Sequence, residues 1–172
     1  MLSEFQTRKA DYRFDMLDTN GNGVLEAVDY QLAAQRIAAA FGKPELTAEL
    51  EAGHREIWTA LLAASDTDGD GQVSRAEYRA ALAGALDDPK GFVAATDAMA
   101  DLVVSLCGSQ LTAADHDKLV TALGGNPGSF AHVDTGGKGY LSLDEVKTAA
   151  AQFYASDDPD APGNWFFGVL PS

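Results

Sequence analysis

Twelve residues, Asp66 to Glu77 (DTDGDGQVSRAE), carry oxygen-bearing side chains at a fixed spacing. Asp66, Asp68 and Asp70 stand at positions 1, 3 and 5, Gly71 at 6, the apolar Val73 at 8 and Glu77 at 12. On a tightly turned backbone, alternate residues can aim their carboxylates at one centre. Gln72 adds a main-chain carbonyl at position 7, and Ser74 binds at position 9 directly or through water. Glu77 closes the set with two oxygens. Such an array suits a hard divalent cation, and calcium above all. A plain acidic surface turn has no need of an acid well beyond its glycine.

The pattern recurs in graded form. Asp18 to Asp29 (DTNGNGVLEAVD) offers Asp18, Asn20 and Asn22, the Val24 carbonyl, Glu26 and Asp29. Two of these are neutral amides, and Asp29 is one methylene shorter than the glutamate of position 12. Fewer and tighter oxygens favour magnesium's octahedron, so magnesium is expected to compete with calcium here. Asp134 to Glu145 (DTGGKGYLSLDE) keeps Asp134, the Tyr140 carbonyl, Ser142 and Glu145, but has Gly136 and Lys138 at positions 3 and 5. These residues could hold a metal only weakly. Around 104–115 the spacing survives without donors, because Val104, Leu106 and Gly108 fall at positions 1, 3 and 5. The spacing is that of the EF-hand loop. Two calcium sites are therefore expected, with a third possible at Asp134–Glu145.

Helices must flank each loop. Ser3 with Gln6 reads as a capping box opening a helix over 3–17, whose apolar residues form a ragged stripe. Further helices are expected over 28–41 and from a Thr47 cap to Ala64. Others follow over 75–86, 92–106 and 112–123, around Phe130, and from loop 134–145 to about Tyr154. Gly42 should end the 28–41 helix. The position-8 residues fall at 25, 73, 111 and 141. Paired EF-hands join loops through short antiparallel β-bridges at that position. The predicted fold is all-α, with four units in two pairs, 1 with 2 and 3 with 4. The break at Asp87–Gly91 divides the chain into an N-terminal pair, 1–88, and a C-terminal pair, 89–172.

Composition narrows the functional classes. The 172 residues include 26 acidic and 12 basic side chains, for a net charge of −14. Such a chain repels nucleic acid and anionic membranes and attracts cations. The 46% hydrophobic content supports a folded core. One cysteine, Cys107, excludes an internal disulfide. No apolar run approaches eighteen residues, and the first residues lack the apolar core of a leader. A cytoplasmic monomer is expected. His54, His116 and His132 are scattered, and no nucleophile–base pair is visible, so no catalytic residue is assigned and an enzyme is not expected. The DTDGD run lacks the strand and threonine of a DxDGT phosphatase. A dockerin-like module, which also ends loops in Asp, lacks the full entering helices predicted here.

The three loops and the tail PGNWFFGVL together resemble the sarcoplasmic calcium-binding proteins, and the bacterial calerythrin-like branch in particular. The resemblance covers nearly the whole chain. It implies a calcium buffer that does not grip target helices, with WFFGVL folded into the groove that sensors offer to partners. The alternative is a calcium sensor that opens such a groove to a partner protein, whose identity the sequence does not give. Sensor grooves are rich in methionine, and the chain has three. Trp165, Phe166 and Phe167 would each lose about 1.5–3 kcal/mol if left in water. The buffer is the favoured reading.

Overall fold

The computed structural model describes residues 1–87 and 89–171, and within the latter it leaves aside the side chains of 89–96 and 99. The first helix, α1 (Glu4–Leu17), opens with Ser3 as predicted. The Ser3 hydroxyl accepts from the Gln6 N–H at 3.1 Å, and the Gln6 side chain accepts from the Ser3 N–H at 2.9 Å. Two N–H groups that a helix start leaves without partners are thereby satisfied. The helices α2 (Ala27–Ala40), α3 (Thr47–Ser65), α4 (Arg75–Asp87) and α5 (Pro89–Cys107) follow. After them come α6 (Ala113–Ala122), the one-turn α7 (Phe130–Val133) and α8 (Leu143–Ala155). The fold is mostly helical, with two small two-stranded sheets among the described residues.

Those sheets fall at the predicted apolar positions. β1 (Val24–Leu25) pairs antiparallel with β2 (Val73–Ser74), placing Leu25 opposite Val73. β3 (Gln110–Thr112) pairs with β4 (Tyr140–Ser142), placing Leu111 opposite Leu141. All four residues are buried. A cross-strand pair sealed from water is the unit that holds such short ladders together. The donor-poor stretch 104–115 has thus kept its packing.

Three expectations need correction or comment. Thr47 is the first residue of α3 and not its N-cap, because a 3-10 turn over Pro44–Leu46 leads into the helix and makes Leu46 the cap residue. The proline at its start pre-sets the backbone angle for that turn. Val104 and Leu106 are buried in the last turns of α5, so the third loop shortens to the turn at Gly108 and Ser109. Of the predicted break at Asp87–Gly91, Asp88 lies outside the described residues, and α5 begins at Pro89.

The ragged stripe of α1 has a physical reason. Ala10, Phe14 and Leu17 enter a core with Leu25, Tyr30, Trp58, Val73, Tyr78 and Leu82. Tyr12 and Met16, on another face, enter a larger core with residues of α2, α5, α6, α8 and the tail. One helix serves two cores, so no single face carries all its apolar residues. α2 divides likewise, with Tyr30 in the first core and Ala33, Ala34 and Ile37 in the second. The packing of α2 on α6 and of α1 on α8 ties the halves together.

The tail enters the larger core. A 3-10 turn (Pro162–Trp165) carries it onto α8, and Phe166 and Phe167 are 3% and 2% exposed. Polar contacts fix its backbone. The Tyr12 hydroxyl donates to the Phe167 carbonyl at 3.0 Å, and the Val169 N–H donates to the Asn126 carbonyl at 2.8 Å. The His116 Nε2 lies 2.7 Å from the Phe166 carbonyl. A carbonyl only accepts, so that nitrogen carries the proton. The Lys9 ammonium, itself buried, donates to Asn164 Oδ1 at 2.9 Å and to the Ser156 carbonyl. Burial lowers the pKa of Lys9 to about 8. Gly168, at φ +106°, sits so close to the Asn126 carbonyl and Val120 that a Cβ would not fit.

Candidate metal centre

The loop between α3 and α4 brings Asp66, Asp68 and Asp70 together. One oxygen of each lies within 4.8 Å of the others, and among the described residues no other trio of acidic, histidine or cysteine side chains does so. The turn that produces this convergence is held by the carboxylates themselves. Asp66 accepts from the N–H groups of Gly69 at 2.7 Å and Gly71 at 3.1 Å. Asp68 accepts from the Asp70 N–H, and Asp70 from the Gln72 N–H. Gly69 and Gly71 have φ of +76° and +80°, a conformation that any Cβ would strain. Each carboxylate oxygen has two lone-pair sites, so one can hold an N–H while the other faces an ion.

Glu77 closes the loop from the first turn of α4. Its Oε1 accepts from the N–H and hydroxyl of Thr67 at 3.0 and 2.9 Å. Its Oε2 accepts from the N–H and hydroxyl of Ser74 at 2.9 and 2.8 Å. Main-chain donors at Ser74 and Thr67, then the two hydroxyls, hold its pKa down to about 2. The carboxylate is ionised at any physiological pH and fixed over the loop. The fit of the loop to a divalent cation rests on three convergent carboxylates and a glycine-shaped turn, while Glu77 at position 12 turns its oxygens to Thr67 and Ser74. Thr67 was not singled out in the sequence, because its role depends on where Glu77 reaches back.

The loop between α1 and α2 differs at its end. Asp18 accepts from the Asn22 and Gly23 N–H groups at 3.0 and 2.8 Å, much as Asp66 does in its own loop. Asp29, however, is fully buried. Its two oxygens accept from the N–H groups of Asn20 at 3.0 Å and Glu26 at 2.8 Å, completing a capping box for α2. Burial outweighs those bonds and raises its pKa. Glu26 accepts from the Asn22 side chain at 2.7 Å and, across the β-bridge, from the Gln72 side chain at 3.0 Å. Gln72 therefore links the two loops. Its side-chain role was not legible from spacing alone, since cross-loop reach depends on register. Val24 and Ser74, placed opposite each other in the ladder, carry the main chain between the two loops.

The loop between α7 and α8 has a further difference. Asp134 accepts from the Lys138 and Gly139 N–H groups at 3.1 and 2.7 Å. The Lys138 ammonium lies on Glu145, 2.7 and 2.6 Å from its two oxygens. Lys138, then the Ser142 N–H, holds the Glu145 pKa down to about 2. Ser142 caps α8 by accepting from the Glu145 N–H, and Tyr140 lines β4 beside it. Cys107 is half-buried, and burial pushes its thiol up to about 11, which keeps it unreactive. The histidines stay apart: His54 and His116 are buried, and His132 stacks on Trp165 with centroids 4.2 Å apart.

Comparison with known proteins agrees with this geometry. The EF hand family model matches residues 60–83, which enclose the Asp66–Glu77 loop. Calerythrin of Saccharopolyspora erythraea is 30% identical over 168 residues, covering 90% of this chain and 94% of that protein. Among solved structures, a Streptomyces coelicolor calcium-binding protein is 26% identical with a TM-score of 0.75. That match covers 87% of this chain and 98% of the other. The amphioxus sarcoplasmic calcium-binding protein has the same fold, with a TM-score of 0.75 at 19% identity over 99% of this chain and 100% of its own. Among the described residues, no helix is long and apolar enough to cross a membrane.

Proposed function

We propose that this chain, which belongs to the EF-hand family of calerythrin, is a cytoplasmic, monomeric calcium buffer with two working sites and no catalytic activity. It is a calcium-binding EF-hand protein related to calerythrin and the sarcoplasmic calcium-binding proteins. We read its architecture as four EF-hand units paired 1 with 2 and 3 with 4. The lobes would be 1–88 and 89–172, joined by α1 and α2. The ligands are Asp66, Asp68, Asp70, Gln72, Ser74 and Glu77 in the stronger site. Asp18, Asn20, Asn22, Val24, Glu26 and Asp29 form the softer one. Two divalent ions would bring the net charge from −14 to −10 and relieve repulsion among clustered carboxylates.

The observation that carries the buffer reading is the seated tail. Phe166 and Phe167 are buried in the larger core, with their carbonyls bonded to His116 and Tyr12. A groove already filled by the chain's own aromatics has no room for a partner helix. The capping role of Asp29 supports a weaker calcium preference in the first loop. Its oxygens serve α2, so magnesium, which keeps more of its water, competes better there.

A sensor is the second reading. It is favoured by the similar Streptomyces coelicolor calcium-binding protein, which serves prokaryotic calcium-mediated regulation. Calorimetric titration with calcium, repeated in magnesium, tests the metal reading together with dye binding for exposed apolar surface. Two ions per chain and no calcium-induced dye signal are expected. Glu77→Gln should weaken the stronger site at least tenfold, about 1.4 kcal/mol. Asp29→Glu should raise calcium selectivity in the softer site. A large calcium-induced dye signal in the intact chain would transfer the conclusion to the sensor, and absent calcium binding would end both readings.

A further inference from the structure

We propose that the Lys138 ammonium is a built-in cation that takes the place of calcium in loop Asp134–Glu145. The inference rests on reading that loop as the fourth EF-hand unit.

Position 12 of an EF-hand loop normally gives both oxygens to the metal. In this loop both Glu145 oxygens accept from one Lys138 ammonium, at 2.7 and 2.6 Å. In Asp66–Glu77 the equivalent oxygens accept from neutral groups of Thr67 and Ser74. The Lys138 ammonium also lies 4.8 Å from the centre of the Tyr140 ring, which adds a cation–π attraction. The lysine backbone closes the turn in the ordinary way, since the Lys138 and Gly139 N–H groups hold Asp134. The loop is therefore shaped like its siblings while its charge is satisfied from within.

The two substitutions at positions 3 and 5 belong together. A Cβ on Gly136 would lie against the Lys138 stem, 3.6 Å from Cγ and 3.8 Å from Cδ and Cε. Position 3 and the lysine stem are thus within van der Waals reach of each other. In sequence, Gly136 and Lys138 look like two separate lost ligands. In space they form one device that exchanges a pair of ligands for a tethered cation. Asp134, Glu145 and Lys138 sum to −1, against −4 for Asp66, Asp68, Asp70 and Glu77. Calcium entering this loop would have to displace an ammonium from its carboxylate, without the carboxylates that reward it elsewhere. The β3–β4 pairing of Leu111 with Leu141 then needs no ion. The C-terminal half becomes the metal-independent part of the molecule.

The test counts calcium ions on the full chain by calorimetry, with folding checked by circular dichroism. Glu145→Gln should leave the count at two and both affinities unchanged. Asp134→Asn should do the same, and it serves where Glu145→Gln fails to fold. Gly136→Asp combined with Lys138→Asp should add a third calcium ion. It should also give terbium luminescence excited through Tyr140, and the natural chain should give none. Loss of one ion in Glu145→Gln or Asp134→Asn, or terbium luminescence through Tyr140 in the natural chain, would overturn the proposal. So would a folded double variant that binds no third ion. Glu77→Gln reads the Asp66–Glu77 loop alone, so failure of the metal reading as a whole would show there and not in the Glu145 variant.

Discussion

Replacing Phe167 by alanine should cost about 3–5 kcal/mol, the usual range for a buried Phe→Ala change. Several contacts place it toward the upper end. The ring is 2% exposed. It meets Phe153 edge-on at 4.8 Å and Phe166 at 5.0 Å between centroids. The guanidinium of Arg13, itself 1% exposed, lies over it at 4.4 Å. Removing the ring therefore leaves a void and takes a cation–π partner from a buried charge. Domains of this kind are stable by roughly 5–15 kcal/mol, so the loss is a large share of the total. Trp165→Ala is the control. Trp165 is half-buried and stacks on His132 near the surface, so it should cost about 1 kcal/mol. Guanidinium chloride unfolding, with and without calcium, measures both. The loops are untouched, so calcium at a hundredfold excess over each dissociation constant should add about 2.7 kcal/mol per site, or about 5.4 kcal/mol for two, to the natural chain and to Phe167→Ala alike. Dye binding should rise in Phe167→Ala whether or not calcium is present. A cost below about 1 kcal/mol, or one equal to that of Trp165→Ala, would refute the placement of the tail. A dye signal that appears only with calcium would refute the closed body.

Two further outcomes are expected. Gln72→Leu keeps the backbone carbonyl but removes the side-chain donor to Glu26, so the sites should bind more independently. The second constant should lose about 0.5–1.5 kcal/mol of its gain, read from the stepwise calorimetric isotherm, and unchanged coupling would show that the bond carries nothing. Stability should also fall on mild acidification. Burial, opposed by the bonds to Leu50 and Phe166, lowers the pKa values of His54 and His116 below 6.5. Between the folded value and 6.5 the unfolded chain binds more protons, so stability is complete above pH 6.5 and is lost as pH falls toward the folded values. Denaturation midpoints at pH 7.5 and 5.5, with histidine proton resonances followed by NMR, check this. A flat profile there would mean the two rings are not held neutral. Glu77 and Glu145 cannot imitate the effect, because they titrate folded near 2 and add pH dependence only below about 4.5, and Asp29, whose pKa burial raises, acts in the opposite sense.

What the sequence showed and what it hid divide along one line. Ligand spacing inside a loop is a local property, fixed by the turn and its glycines, so Asp66 to Glu77 could be read directly. The partner of each strand was also legible, because Leu25, Val73, Leu111 and Leu141 occupy one repeated position and apolar residues there must find each other. The second employment of a side chain was not legible. Asp29 reads as a ligand, yet it also caps α2 from a buried site, since both tasks ask for a short carboxylate at the start of a helix. Thr47 reads as a cap, but the proline three residues earlier starts a turn that takes over the entry. The two faces of α1 read as a poor amphipathic stripe because the helix packs on two cores that only the fold creates. Lys138 marks the boundary between these cases. Its position was visible and its charge was visible. That its ammonium would lie on both Glu145 oxygens required the backbone, because positions 5 and 12 meet only once the loop has turned. A pattern search scores Gly136 and Lys138 separately and finds two defects, where the folded loop has one replacement.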